Sequence, residues 1–215
     1  MPSLVDSARG LPLIADLLSR CSFPPEHTYV DCAVSGGADS VALLVLARAA
    51  NLNVTAWHVD HGLRENSQAE AELVAQLAIQ LEAQFESRTV NVDQGANTEA
   101  RAREARYGAM PQGVMTGHTA DDQAETILIN LLRGSGTRGL AGMQPTSQRP
   151  LLHIRRSETH ALCSALGISV FNDPSNNDER FQRNRIRHEV LPLLESLAKR
   201  DLVPVLTRQA DLLRD

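Results

Sequence analysis

Two stretches of this 215-residue chain carry residue types that can bind and transfer phosphate. Ser35-Gly-Gly-Ala-Asp-Ser40 lies between an apolar run, Tyr29 to Val34, and a segment of strong helix formers, Ser40 to Ala47. A strand, turn and helix in that order leave backbone N–H groups unpaired at the positive end of the helix, where phosphate oxygens fit. Gly36 and Gly37 let the backbone approach an anion with no Cβ in the way. The sequence lacks the Gly-Lys-Ser/Thr ending that would place a lysine on the phosphates. Asp39 suggests how the charge is met instead. A carboxylate beside a phosphate site is tolerated where a divalent cation bridges the two, and Mg2+ is the usual bridge. The plainer alternative is a glycine turn whose Ser or Asp caps the helix.

The second stretch is Thr116-Gly-His-Thr-Ala-Asp-Asp-Gln-Ala-Glu-Thr126. Thr119 and Asp122 have the spacing of a capping box, and acids suit the first turn of a helix. That accounts for Asp122 but not for Glu125. Asp121 and Glu125 stand four apart on one helical face, where like charges repel unless a cation or a basic substrate neutralises them. Two further segments are less decisive. In His58-Val-Asp-His-Gly-Leu-Arg64, His58 reads as structural, while Asp60 and His61 are the better site candidates. In Asn97 to Tyr107, Arg103 and Arg106 occupy neighbouring helical positions, as a solvated charged face or a phosphate clamp would.

The elements that must position these residues alternate. Helical spacing from Leu4 to Leu18 predicts an opening helix, stopped by Pro24-Pro25. Strands are predicted at 29–34, 53–59, 88–92 and 113–116, with helices at 40–47, 66–83 and 97–110 between them. Such alternation favours a parallel twisted sheet with helices on both faces and ligands beyond the carboxyl ends of the strands. From Gly134 to Gly142 the chain reads as a flexible glycine segment, followed by helix candidates at 158–166, 181–197 and 201–215.

Composition narrows the function classes. Hydrophobic residues make up 42% and charged residues 22%, as in ordinary globular proteins. No apolar run is long enough to span a bilayer, and the first residues lack a basic head before an apolar core, so neither membrane nor export is expected. Cys21, Cys32 and Cys163 form no close pair, which fits reduced thiols in a cytoplasmic protein. The net charge of -5 is uneven: residues 1–130 hold 8 Arg against 17 acids, and residues 131–190 hold 9 Arg against 5. Lys199 is the single lysine, so anions must be met by guanidinium groups or backbone amides. A polyanion should therefore lie against the second half, where Arg180, Arg183, Arg185 and Arg187 cluster.

Taken together, these blocks resemble the PP-loop (N-type) ATP pyrophosphatases, and within them the bacterial tRNA(Ile)-lysidine synthetase family, over nearly all of residues 29–195. The blocks are Ser35 to Ser40, His58 to Arg64, Asn97 to Tyr107, Gly117 to Thr126, Arg133-Gly-Ser-Gly136, Arg149-Pro-Leu-Leu152, Asn172 to Asn176 and Arg183 to Arg187. The resemblance implies an adenine nucleotide alpha hydrolase-like fold with a helical extension at 196–215 after a catalytic domain at 1–195. The tRNA would face 133–190. It implies ATP with Mg2+, and modification of the wobble cytidine of a CAU anticodon to lysidine: the C2 oxygen attacks the α-phosphate, pyrophosphate leaves, and free L-lysine displaces AMP.

On that resemblance, Ser35, Gly36, Gly37, Ala38, Asp39, Ser40, Asp60, His61, Arg103, Arg106, Gly117 and His118 would hold the nucleotide, with Asp39 the metal ligand. Asp39, Asp121 and Glu125 would be catalytic. Asp60, Asp121, Asp122, Glu125, Arg133, Arg183, Arg185 and Arg187 would meet the substrates. Family members usually continue into a C-terminal region that helps hold tRNA, so a catalytic-domain fragment and a reduced variant both stay open. Two rivals share the loop: a 2-thiocytidine thiolase type, which needs cysteine ligands that these three do not pair to form, and a non-catalytic nucleotide- or tRNA-binding fragment.

Overall fold

The computed structural model describes residues 3–60, 67–90, 105, 108–171 and 178–214, with residues 67 and 68 described by their backbone alone. His61, Arg103, Arg106, the helix expected at 97–110 and the Asn172 to Asn176 block lie largely outside these residues.

The opening segment is two helices instead of one. α1 (Leu4–Arg9) begins at a capping box in which Ser3 and Asp6 bond each other's backbone N–H. Gly10 and Leu11 interrupt it, and α2 (Pro12–Ser19) starts anew on a proline, which lacks the N–H that an interior position requires. Both helices pack on α3 (Ala38–Ala49). The middle of that helix is apolar all round, with Val41 to Ala47 fully buried, as a segment enclosed on every side must be.

Three parallel strands form the sheet in the order β1 (Tyr29–Ala33), β2 (Asn53–Asp60) and β3 (Gln84–Thr89). β3 lies four residues earlier than the alternation at 88–92 suggested. Phe85 turns into the core, while most of the strand is exposed, so the apolar signal that marks a buried strand is weak there. The segment at 113–116 does run parallel beside β1, on the edge away from β2, but makes only a bridge at Met115. Ala33 N donates to Met115 O at 2.9 Å and Met115 N to Asp31 O at 2.8 Å. Helices cover both sides, α4 (Ser67–Gln80) packing on β2 and β3.

The second half is helical. α5 (Ala120–Leu132) presents Ala120, Ala124 and Leu128 at four-residue spacing to Ile186, Leu191 and Val203, forming a second small core. The glycine segment, expected to be flexible, is pinned. It contains α6 (Thr137–Leu140), and Asn130 and Gln123 of α5 bond Gly139 and Met143. α7 (Arg156–Ala165) returns against α3. α8 (Gln182–Arg185) runs through a π turn (Ile186–Val190) into α9 (Leu191–Ala198). Lys199 then takes a left-handed conformation (φ 53°), and α10 (Val203–Leu212) packs on α5. Among the described residues no helix is long and apolar enough to cross a membrane.

Candidate active site

Parallel strands deliver their carboxyl ends to one edge, and the glycine loop, Asp60 and Gly117 all fall there. Ser40 Oγ knits the loop, accepting from Ser35 N at 3.1 Å and donating to Gly37 O at 2.8 Å. Gly36 adopts φ +85°, which a side chain disfavours, and its carbonyl accepts from Phe171 N at 2.8 Å. Gly37 opens α3 with no side-chain cap, so the helix's first N–H groups keep no side-chain acceptor. Ala38 and Ser40 are buried in its first turn, holding that end in place.

Gly117 fits against this loop with no room to spare. A Cβ there would lie 2.6 Å from Asp39 O and 2.8 Å from its carbonyl carbon. These are backbone atoms that cannot step aside. Gly117→Ala is therefore expected to displace the loop and weaken ATP binding by at least tenfold, while a titration calorimeter and a melting curve separate lost binding from lost folding.

Asp39 does not face solvent alone. Its carboxylate accepts from Thr159 Oγ1 at 2.5 Å and from Arg156 Nε at 3.3 Å, both carried by α7. Arg156 also donates to Asp122 at 3.0 Å and Glu125 at 3.1 Å. A single guanidinium thus gathers acids from the loop and from α5. Arg155 beside it forms a fork on Asp121, at 3.1 and 3.3 Å, and also bonds Asp201 at the start of α10. Asp121 further accepts the Arg156 N–H at 2.8 Å.

Glu125 is the deepest of the four acids. Side-chain exposure falls from 26% at Asp39 through 15% and 13% at Asp121 and Asp122 to 1% at Glu125. Each Glu125 oxygen accepts two bonds: Oε1 from Arg156 and Arg187, Oε2 from Arg183 and Arg187, at 2.7 to 3.1 Å. Arg183 and Arg187 therefore turn inward. They stand four apart and share one face of the α8 and π-turn segment, while Arg185 and Glu189 pair on the exposed side at 3.0 Å. In this structure Arg183, Arg187 and Glu125, all expected to meet the substrates, meet one another, since a buried carboxylate is held only where charged donors satisfy it.

Proton affinities follow the burial. Burial pushes the Asp39 carboxyl up and Asp122 adds to this, outweighing Thr159 and Arg156. Burial also opposes ionisation of Asp122, but Arg156, Arg183, His118 and the Thr119 N–H prevail, and its carboxyl sits below the ordinary range. A lowered folded value means that Asp122 stabilises the fold above its unfolded value of 3.8, and that this is lost as the pH falls through the folded value. The melting temperatures of the native chain and Asp122→Asn should accordingly converge only below about pH 4; a gap that persists unchanged at pH 2 would count against the pairing.

Other expected residues are dispersed. His58 is buried, its Nδ1 2.9 Å from Val34 O, as a structural histidine. Asp60 ends β2, half-buried, with Val90 N on its carbonyl at 2.8 Å. His118 lies 2.6 Å from Thr116 Oγ1. Arg133 caps the far end of α5, exposed and about 18 Å along the helix from Asp121. Arg155, Arg156 and Thr159 are site residues that the motifs did not single out. One signal was available: Arg155-Arg156 opens a helix, where two cations oppose the dipole unless acids from elsewhere meet them.

Can the acids hold Mg2+? Among the described residues no group of three His, Cys, Asp or Glu could cage a metal ion. Asp39 still fits as one ligand, since each of its oxygens keeps a second lone pair, and Mg2+ commonly takes one or two carboxylates with phosphates and water.

The chain is similar to known proteins. A family model described as a PP-loop domain matches residues 14–194. The chain is 45% identical over 203 residues to a tRNA(Ile)-lysidine synthase of Rhodococcus erythropolis, covering 90% of this chain and 62% of that one. It is 48% identical over 194 residues to a tRNA(Ile)-lysidine synthase of Mycolicibacterium paratuberculosis, covering 85% and 59%. The chain thus spans about three fifths of the length of these curated relatives. Among solved structures, the U34-tRNA thiolase NcsA of Methanococcus maripaludis with its 4Fe-4S cluster superposes with a TM-score of 0.72 at 16% identity, over 98% of this chain and 80% of that one, a likeness of fold. With the match over most of its length, the chain belongs to the PP-loop domain family.

Proposed function

We propose that this chain is the ATP-dependent catalytic part, residues 1–195 with a helical extension, of an enzyme that converts the wobble cytidine of tRNA(Ile) with a CAU anticodon to lysidine. The observation that carries the reading is the gathering of Asp39, Asp121, Asp122 and Glu125 around Arg155 and Arg156, directly beside the glycine loop. Sequence identity to lysidine synthases supports the choice of reaction.

The chemistry suits these residues. An amine does not expel a carbonyl oxygen from cytosine, whereas a phosphorylated oxygen can leave. The loop N–H groups would hold the terminal phosphates of ATP while the cytidine C2 oxygen bonds the α-phosphorus and the bond to pyrophosphate breaks. Bound Mg2+, with Asp39 as its protein ligand, would neutralise phosphate charge there. In the second step the lysine ε-nitrogen bonds C2 and the C–O bond to AMP breaks. Lysine arrives protonated, with a pKa of about 10.4, and must lose a proton first. Asp121 and Asp122, at the accessible side of the cluster, would bind the ammonium, and Asp121 would accept the proton. Glu125 would act by holding three arginines in place. Asp60, His61, Arg103, Arg106, Gly117 and His118 stay assigned to the nucleotide.

The RNA would approach the arginine-rich half. Arg185 and Arg133 are exposed there, unlike Arg183 and Arg187. Arg185→Ala is expected to reduce the salt dependence of tRNA binding by about one unit of slope, whereas Arg183→Ala should lower the melting temperature instead. Slopes from filter binding across salt concentrations tell them apart.

The decisive test supplies ATP, Mg2+, tRNA(Ile) transcript and lysine to the full chain. Pyrophosphate should appear with RNA and AMP only when lysine follows, with lysidine seen in the nucleosides by mass spectrometry. Thiocytidine formation, or pyrophosphate release without RNA, would refute the reading. The thiolase alternative is disfavoured by the cysteines, since Cys32 and Cys163 are buried, Cys21 is half-buried, and among the described residues no group of three His, Cys, Asp or Glu could hold a metal ion.

A further inference from the structure

The Arg149-Pro-Leu-Leu152 block has no part in the acid cluster. Pro150, Leu151 and Leu152 are buried, so three of its four residues serve the core and only Arg149 is left to face outward. A turn fixes it, with Arg149 N donating to Thr146 O at 2.8 Å. Its guanidinium makes no ion pair with any described acid, unlike those of Arg155, Arg156, Arg183 and Arg187. It lines a cavity of about 340 Å³, within the range that small ligands occupy.

Val114, Thr116 and His118 alternate along the segment beside β1 and line the cavity, as side chains two apart on an extended chain do, while Pro111, Gln112 and Gly113 line it from the turn closed by Val114 N on Pro111 O at 3.3 Å. Gln148 closes the other wall, its carbonyl accepting from Thr116 N at 2.9 Å. No acid is among the described residues that line it. Donors dominate: one guanidinium, two amides, a hydroxyl and an imidazole. The His118 end adjoins the acid cluster: the next residue, Thr119, donates its N–H to Asp122 at 2.8 Å.

From this placement we propose that the cavity is a subsite for one nucleotide of the RNA substrate, in which Arg149 holds a backbone phosphate and the Gln112 and Gln148 amides face the base. The proposal rests on the reading of the substrate as RNA. An unpaired guanidinium is matched to a phosphate by its fork of N–H donors, and an acid-free wall repels no anion. Single-stranded RNA is read one splayed nucleotide at a time by polar edges of this kind. The volume admits a nucleotide but no duplex.

Phenylglyoxal modification of the full chain, followed residue by residue by mass spectrometry, tests it. Cytidine 5′-monophosphate should slow modification of Arg149 several-fold, and inorganic phosphate less, with exposed Arg138 unaffected by either. In parallel, Arg149→Gln should lower the salt slope for a wobble-cytidine anticodon stem-loop by about one unit while ATP affinity is kept. Absence of protection by both probes would overturn the subsite. Equal protection by phosphate and nucleotide with an unchanged slope would show a pocket for free anions and overturn the RNA assignment. Protection with a reduced slope, in a chain that forms no lysidine, would leave the subsite standing and remove the proposed activity.

Discussion

Asp39→Asn is expected to reduce pyrophosphate release from ATP by about a hundredfold or more while leaving the melting temperature at neutral pH equal to or above that of the native chain. The rate effect follows from the carboxylate's place in the loop: an amide offers a divalent cation less charge, and preorganised electrostatics of this kind are worth about two to three orders of magnitude. The stability effect follows from the sign of its proton affinity. Burial raises the Asp39 carboxyl above its ordinary value, so the folded chain binds this proton more tightly than the unfolded chain does. Its stabilisation is present below the unfolded value and is lost as the pH rises through the folded one. At neutral pH the ionised group is therefore a burden, which Asn removes while still accepting from Thr159. Parallel turnover and calorimetric measurements decide the matter; native turnover with a melting temperature several degrees lower would make Asp39 a structural residue. A site that is strained for function is the usual place for such a trade.

Glu125→Gln is expected to do the opposite, damaging the fold before the chemistry. Glutamine keeps the volume but replaces one oxygen by an NH2 group that points hydrogens at Arg183 and Arg187, both within 3.1 Å of that oxygen in the native chain. Breaking a buried ion pair from one side costs about 3–5 kcal/mol, because the partner charges stay behind. For a domain of this size that corresponds to a fall of about 6–20 °C in melting temperature. A shift under about 2 °C would mean that the three guanidiniums find other acceptors.

The sequence made the glycine loop and the α/β alternation readable because both are local. Helix and strand periods repeat within a few residues, and a strand, glycines and helix formers in succession leave few alternatives. What it concealed was set by distance or by edge position. Asp39 and Arg156 meet across 117 residues, and Arg155 reaches Asp201 across 46, so no spacing rule joins them. β3 was misplaced because an exposed strand carries little apolar pattern. The inward turn of Arg183 and Arg187 was visible in their spacing of four, set against Arg185 and Glu189 on the other face, yet four like charges in eight residues read first as a surface. Gly10 and Pro12 likewise outweighed a continuous leucine pattern in the opening segment.

The left-handed turn at Lys199 has a practical consequence. As the chain holds one lysine, a lysine-specific protease has a single bond to cut, Lys199–Arg200, at the exposed junction just before Asp201. One nick there frees the backbone of α10 from α9 while leaving every other peptide bond whole, and the same amine gives a fluorophore one side chain to label. α10 can thereby be released or watched on its own, without substituting any residue.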